Sequence, residues 1–432
     1  MTERVIKPAR RLRGTIQPPG DKSISHRAAI LNAIADGEAV VHNFLPGEDC
    51  RSTLTVLRAL GVEHELDTSG DVSVLRITGA GIDGLREPPG VLDCANSGTT
   101  MRLMAGVLAG QPFLSVLDGD DSLRSRPMAR IAEPLRRMGA RIDGRDGARF
   151  APLTVRGGGL HGIRYKLPMA SAQVKSAVLL AALYAEGETI VEEPGPARDH
   201  TERMLDAMGA HIEREGPAVR ITPGTRLEAL SMRVPNDMSA AAFWIVAATV
   251  HPDAELRITG VGINPTRTGI IDALRAMGAD LAIEEERVVG GEPVADIVVR
   301  SSQLEGTVVE GDLVPRLLDE APVLAVAAAF ARGTTEIRDA GELIVKESNR
   351  VATTASQLAA LGVRIRERPD GMIIEGGNGI AGGNARSFGD HRLAMALAVA
   401  GVAGAGAVTI EGAECVGVSY PGFWRHLEAI SR

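Results

Sequence analysis

Six short polar stretches recur along the chain, each at the opening of an alanine-rich segment. They are Asp21-Lys22-Ser23, Asn96-Ser97-Gly98-Thr99-Thr100-Met101-Arg102, Ala170-Ser171-Ala172-Gln173-Val174-Lys175, Asn236-Asp237-Met238-Ser239, Leu318-Asp319-Glu320-Ala321 and Gly389-Asp390-His391-Arg392. Between them they offer lysine, arginine, amides, hydroxyls, a histidine and carboxylates. A helix start adds unpaired N–H groups and a partial positive charge, which attract anions. Taken singly, Asp21-Lys22 is an ordinary capped helix with a solvated lysine. Six equivalent starts pointing at one place would suit a small, highly anionic substrate, with proton donors and acceptors at hand.

The segments behind these starts read as helices. Asp21 and Ser23 are good N-caps, and Ala28 to Ile34 form an apolar run that stops near Gly37. A second signal closes the repeat. Leu57-Arg58-Ala59-Leu60-Gly61-Val62 recurs as Leu135 to Ala140, Leu205 to Ala210, Leu274 to Ala279 and Leu358 to Val363, about seventy residues apart. Each glycine suits a helix C-cap and precedes strand-like residues. A sixth helix, Phe423 to Ile430, ends without its glycine. Six units therefore fill the chain, after an opening strand from Val5 to Gln17. Gly79-Ala80-Gly81-Ile82-Asp83-Gly84 matches the dinucleotide fingerprint literally, but Glu87-Pro88-Pro89-Gly90 forbids the helix that motif needs.

The 432 residues, 44% apolar and 3% aromatic, have a soluble α/β composition with ample core for more than one domain. A net charge of −8 with few aromatics disfavours a nucleic-acid surface. The longest apolar run, near Ala240 to Val250, is too short to span a membrane. No signal-peptide pattern precedes Arg10-Arg11, and Cys50, Cys94 and Cys415 have no paired spacing. A cytoplasmic monomer without metal, membrane or nucleic-acid partner is expected. Only five of the 47 basic residues are lysines, and Lys22, Lys175 and Lys346 all lie in polar motifs. Lysine retained where arginine is the default hints at a transferable proton.

Loop residues add to the set. Arg124 and Arg126 precede Pro127, which is well placed to start a helix. Arg198-Asp199-His200 sits in the equivalent loop of the third unit, with His200 readable as a structural histidine and Asp199 as a helix cap. Val345-Lys346-Glu347-Ser348-Asn349-Arg350 follows the fifth apolar helix.

Taken in order, Asp21 to Arg27, Asn96 to Arg102, Arg126-Pro127, Ser171-Ala172-Gln173, Leu318-Asp319-Glu320, Lys346 to Arg350 and Asp390-His391-Arg392 resemble the 5-enolpyruvylshikimate-3-phosphate (EPSP) synthase family over essentially the whole chain. The Ser171-Ala172-Gln173-Val174-Lys175 and Arg198-Asp199-His200-Thr201 forms resemble its glyphosate-tolerant branch. The resemblance implies an α/β fold, the two-domain inside-out α/β barrel of the enolpyruvyl transferases. It would have six βαβαββ-like repeats, three per domain, with helices inside and sheets outside. Residues 1–20 plus 235–432 would form one domain and residues 21–234 the other, with the active site in the cleft between them and closure on substrate.

The implied reaction joins the 5-hydroxyl of shikimate 3-phosphate to C2 of phosphoenolpyruvate. The methylene carbon takes a proton, and the tetrahedral intermediate then loses phosphate. No cofactor is implied. By resemblance Lys22, Ser23, Arg27, Ser171, Ala172, Gln173, Arg198, Asp319 and Lys346 would hold shikimate 3-phosphate. Lys22, Asn96, Gly98, Thr99, Arg126, Gln173, Arg350 and Arg392 would hold phosphoenolpyruvate. Lys22, Asp319 and Glu347 would move protons, with His391 nearby. Read alone, Asp319 is a helix cap and Glu347 an ordinary ion-pair partner of Lys346 or Arg350.

Two departures stand out. Ala172 replaces a second serine, and Val418 replaces a phosphate-binding lysine before Ser419-Tyr420-Pro421. Gly98 is the small residue beside which a methyl group would crowd glyphosate. The competing readings are UDP-N-acetylglucosamine enolpyruvyl transferase and, more remotely, an RNA-end-processing or RNA-binding protein of related repeats. The first usually carries a cysteine in a first-domain loop and a Lys-Asn pair; here residues 119–128 have no cysteine and Ser23 follows Lys22. The second would need a basic, aromatic surface.

Overall fold

The computed structural model describes every residue except Met1, Asp71, Thr225 and Arg432. The five recurring glycine endings are helix stops with one geometry. In the first, Gly61 N donates to Arg58 O and Val62 N to Leu57 O, both at 3.0 Å. Gly139, Gly209, Gly278 and Gly362 repeat the pair of bonds. All five glycines have positive φ, from 87° to 111°. The repeated leucine and the apolar residue after glycine are the two ends of the longer bond, so the motif is a Schellman cap with its hydrophobic contact.

Each unit has a helix apolar or small on every side and a second, amphipathic one. The first kind comprises Lys22–Ala33, Gly98–Ala109, Ala172–Ala182, Met238–Val250, Ala321–Phe330 and His391–Ala403. A helix without a polar face must be buried, and every residue of Met238–Val250 except Val250 is buried. The second kind comprises Glu48–Ala59, Ala129–Arg137, His200–Ala207, Gly269–Ala276, Arg350–Ala360 and Phe423–Ile430. No helix among the described residues is long and apolar enough to cross a membrane.

The strands form six small sheets. In the second repeat, Leu92–Asp93 pairs parallel with Leu114–Asp118 across the buried helix Gly98–Ala109. Leu114–Asp118 pairs antiparallel with Phe150–Arg156, which closes a hairpin with Arg141–Gly144. The other four-stranded sheets keep this order, but two take their leading strand from far away. Met232–Arg233 leads the first repeat beside Asp36–His42, and Leu12–Ile16 leads the fourth beside Ala254–Gly262. The expected single opening strand is therefore two strands. Glu3–Ile6 pairs with Val408–Glu411, while Leu12–Ile16 joins a different sheet. Pro8, which lacks an N–H, lies in the break.

The chain divides into two compact units: Met1–Pro19 with Pro235–Val288 and Pro293–Arg432, and Gly20–Val234 with Val289–Glu292. Each has its own hydrophobic core around three of the buried helices. Gly79 of the fingerprint-like stretch lies within the strand Val74–Ala80 and starts no phosphate loop: a Cβ there would lie 2.1 Å from Ala35 O.

Close helix packing yields one stability prediction. A Cβ on Gly106 would lie 2.3 Å from Ala177 O and 2.9 Å from Ala177 Cα, so the helices Gly98–Ala109 and Ala172–Ala182 meet backbone to backbone. Gly106→Ala should destabilise the protein by about 1–3 kcal/mol or more, read as a lower denaturant midpoint. An unchanged midpoint contradicts the packing.

Candidate active site

In the unit built on Gly20–Val234, three buried helices begin among charged side chains. Asp21 caps the first, accepting from Ile24 N at 2.9 Å. Lys22 follows, its Nζ 3.0 Å from Asp49 Oδ2, and both side chains are largely covered. Arg198 donates to Ser23 Oγ at 3.4 Å. Arg27 is nearly buried and donates to Thr201 Oγ1 at 2.7 Å, Ser176 Oγ at 2.8 Å and Ser23 O at 3.0 Å. Burial pushes its pKa down to about 10, which leaves it cationic at neutral pH.

The second helix start carries two guanidinium groups. Ser97 caps it, accepting from Thr100 N. A methyl placed on Gly98 would lie 3.1 Å from Arg102 Nη1 and 3.5 Å from Arg126 Nη1. Arg126 donates to Asn96 Oδ1 at 2.6 Å and Ser122 Oγ at 3.1 Å, and Asn96 donates in turn to Asp120 at 2.7 Å. Arg102 donates to Gln173 Oε1, and Gln173 donates to Thr99 Oγ1 at 2.9 Å. Free amides, two arginines and a tethered glutamine make this end an anion-binding arrangement. Ser171 and Ala172 open the third helix, Ser171 at the cap position without a side-chain cap bond.

His26 is wholly buried behind these starts. Its Nδ1 is 2.7 Å from Thr53 Oγ1, which is 2.7 Å from Thr100 Oγ1, which donates to Ser97 Oγ at 2.7 Å. Burial pushes the imidazole down to about 3. It is a neutral link tying the helices Lys22–Ala33, Glu48–Ala59 and Gly98–Ala109 together and does not serve as an acid.

The other unit gathers its charges on one carboxylate. Asp319 Oδ1 is 3.3 Å from Lys346 Nζ and 3.1 Å from Arg350 Nη1, and Oδ2 is 3.8 Å from Arg392 Nη2. Arg350, 1% exposed, also meets Glu347 Oε2 at 2.6 Å and Asp390 Oδ2 at 2.8 Å. Burial alone would lower the Arg350 pKa; Asp390, Glu347 and Asp319 outweigh it and raise it, so the side chain stays protonated. Burial raises the Asp390 carboxyl, but Arg350 outweighs that and holds it below the usual carboxylate range. Asp390 also caps the helix His391–Ala403, accepting from Arg392 N at 2.9 Å, and His391 is buried in its first turn. Glu320 receives a hydrogen bond from Ser239 Oγ, which itself accepts from Arg267 at 2.6 Å.

Several sequence-based readings change. Lys175 is fully buried against Glu193 and Glu202, so it is no transferable-proton candidate. Asp199 occupies a cap position but makes no cap bond; it pairs with Arg203 at 3.0 Å. Pro127 lies one residue before Met128, the N-cap of Ala129–Arg137. His200, by contrast, is the structural histidine that the sequence suggested, its Nδ1 2.7 Å from buried Glu292. Asp49 was missed as a member of the polar set, and Arg102, though part of the second polar stretch, was assigned no contact. Arg102 had a signal, four residues after Gly98 on one helix face; Asp49 had none.

Six α/β repeats in two units with charged helix starts define the enolpyruvyl-transferase class of fold. The EPSP synthase (3-phosphoshikimate 1-carboxyvinyltransferase) family matches residues 6–427, and the chain belongs to that family. It is 58% identical over 436 residues to the 3-phosphoshikimate 1-carboxyvinyltransferase of Roseiflexus castenholzii, covering 100% of both chains. The EPSP synthase structure from Acinetobacter baumannii superposes with a TM-score of 0.88 at 45% identity, over 99% of this chain and 98% of that one. The enolpyruvyl transferase NikO from Streptomyces tendae shares the fold, with a TM-score of 0.80 at 20% identity over 99% and 96% of the two chains.

Proposed function

We propose that this protein transfers the enolpyruvyl group of phosphoenolpyruvate to the 5-hydroxyl of shikimate 3-phosphate. The hydroxyl oxygen bonds to C2 while C3 takes a proton. The C2–O bond to phosphate then breaks as a proton leaves C3, giving the enol ether and inorganic phosphate. The observation that carries this reading is the family match along nearly the whole chain. The polar helix starts supply the chemistry it needs.

In the unit containing residues 21–234, Ser23, Arg27, Ser171, Gln173 and Arg198 bind shikimate 3-phosphate. Lys22, Asn96, Arg126 and the amides at Gly98 and Thr99 bind phosphoenolpyruvate, with Lys22 and Gln173 serving both. Arg102 joins that set through its bond to Gln173. Arg198, beside Ser23, compensates for the missing hydroxyl at Ala172. In the unit containing residues 235–432, Asp319 accepts the hydroxyl proton and Lys346 orients the acceptor. Arg350 and Arg392 take the anionic donor, and Glu347 or Lys22 handles the C3 proton. Val418 leaves the donor side one cation short. The protein works as a cytoplasmic monomer in this reading.

Turnover in D2O tests the addition–elimination step. Deuterium should enter the vinyl group of the product, visible by NMR. A vinyl group without deuterium contradicts it. Glyphosate should also inhibit, because Gly98 leaves space between Arg102 and Arg126. Full activity at about 1 mM, the upper end of ordinary KM values, contradicts that expectation. Gly98→Ala should weaken glyphosate more than phosphoenolpyruvate.

A further inference from the structure

We infer that Lys175 is a positioning residue for Arg198, clipping the loop that carries it against the helix that carries Ser171 and Gln173. The inference rests on the proposed reading of Arg198 as a shikimate 3-phosphate ligand. The segment between the strand Thr189–Glu192 and the helix His200–Ala207 has no regular structure of its own. It includes Pro194, Gly195 and Pro196 and brings Arg198 to Ser23. Something other than a helix or strand ladder must hold it.

Lys175 reaches three points along this segment. Its Nζ lies 2.8 Å from Glu193 Oε1 at the beginning and 2.6 Å from Glu202 Oε1 just beyond the end. It also donates to Ala197 O, next to Arg198, at 3.4 Å. The lysine side chain is wholly buried and that of Glu193 nearly so. The compact ammonium thus combines one hydrogen bond, to Ala197 O, with two ion pairs, to Glu193 and Glu202, around a single point charge, which the larger planar guanidinium would not fit in the same way. Arg214, 2.8 Å from Glu193 Oε2, balances the second negative charge.

The clip joins two parts of the proposed site. Lys175 N donates to Ser171 O at 3.0 Å, so the ammonium belongs to the helix that opens at Ser171. The next residue, Ser176, is 2.7 Å from Thr201 Oγ1, and both hydroxyls accept from Arg27. Moving the loop would displace Arg198 without touching the donor arginine, Arg126. Ala172 offers no hydroxyl, so the placement of Arg198 bears directly on acceptor affinity.

The test uses the full chain with Lys175→Met and, because that leaves a buried carboxylate unpaired, also with the charge-balanced pair Lys175→Met/Glu202→Gln. KM for shikimate 3-phosphate should rise about tenfold while kcat and KM for phosphoenolpyruvate stay within about twofold. Adding Lys175→Met to Arg198→Ala should cost less than about a further twofold, since both changes act through one ligand. Unchanged acceptor KM in a folded variant overturns the inference. Full additivity with Arg198→Ala does too, as does loss of cooperative unfolding in both variants, which would make Lys175 a core pair only. If the native chain does not turn over shikimate 3-phosphate, the functional reading fails and takes this inference with it. An active native chain with indifferent variants sinks the inference alone.

Discussion

Asp319→Asn should lower kcat by about 10²–10⁴-fold, the range expected when a positioned general base is removed. The substitution keeps size and an oxygen acceptor, so Lys346 and Arg350 retain a partner. On the proposed reading, what is lost is the carboxylate that takes the proton of the attacking hydroxyl. Three cations, Lys346, Arg350 and Arg392, lie within 3.8 Å of this one side chain. A group at such a convergence is also structural, so the kinetic effect must be separated from a folding effect. Steady-state phosphate release with both substrates, beside a denaturant titration, does so. A folded variant whose kcat changes by less than about threefold would remove Asp319 from proton transfer.

Arg350→Met should produce the largest loss of stability. Arg350 is 1% exposed and sits among Asp319, Glu347 and Asp390. Removing one partner from a buried ion pair costs about 3–5 kcal/mol; Asp319 would keep Lys346 and Arg392, but Asp390 would lose its guanidinium where water does not reach it. Asp390 is itself 0% exposed. Arg350→Met/Asp390→Asn should recover part of the loss, since it removes the carboxylate with least access to water. Linear extrapolation from urea unfolding measures both differences. If Arg350→Met unfolds at the native midpoint, or the double variant is no better than the single one, the cluster does not stabilise the fold as argued. On the proposed reading, in which Arg350 joins Arg126 and Arg392 in holding the donor, phosphoenolpyruvate KM should rise as well.

Much of the fold was legible because its strongest signals are local. The Schellman endings at Gly61, Gly139, Gly209, Gly278 and Gly362 need only six consecutive residues, and each reappears as two specific backbone bonds. The buried helices were legible because a helix with small or apolar residues on every face can only be interior. Long-range pairing was not. Nothing in Val5 to Gln17 says that Glu3–Ile6 and Leu12–Ile16 belong to different sheets. Nor does the alternation around Val289–Glu292 tell that these four residues cluster with the other unit, where Glu292 buries against His200.

The polar set shows the same division. Helix starts announce themselves through Asp21, Ser97 and Asp390, all of which cap. Ion-pair partners do not, because nothing in a carboxylate's own neighbourhood in the sequence names the cation it will meet. Asp49 beside Lys22 and Asp390 beside Arg350 depend on packing of elements far apart in sequence. Lys175 misled for this reason. Its position in a polar motif hinted at a transferable proton, whereas its helix turns it into the core beside Glu193 and Glu202.

The most direct test of the functional account is phosphate release from phosphoenolpyruvate with shikimate 3-phosphate as acceptor, run beside the same assay with UDP-N-acetylglucosamine. Release with shikimate 3-phosphate and none with the sugar nucleotide is the predicted result. Release with the sugar nucleotide alone, or with neither, would contradict it.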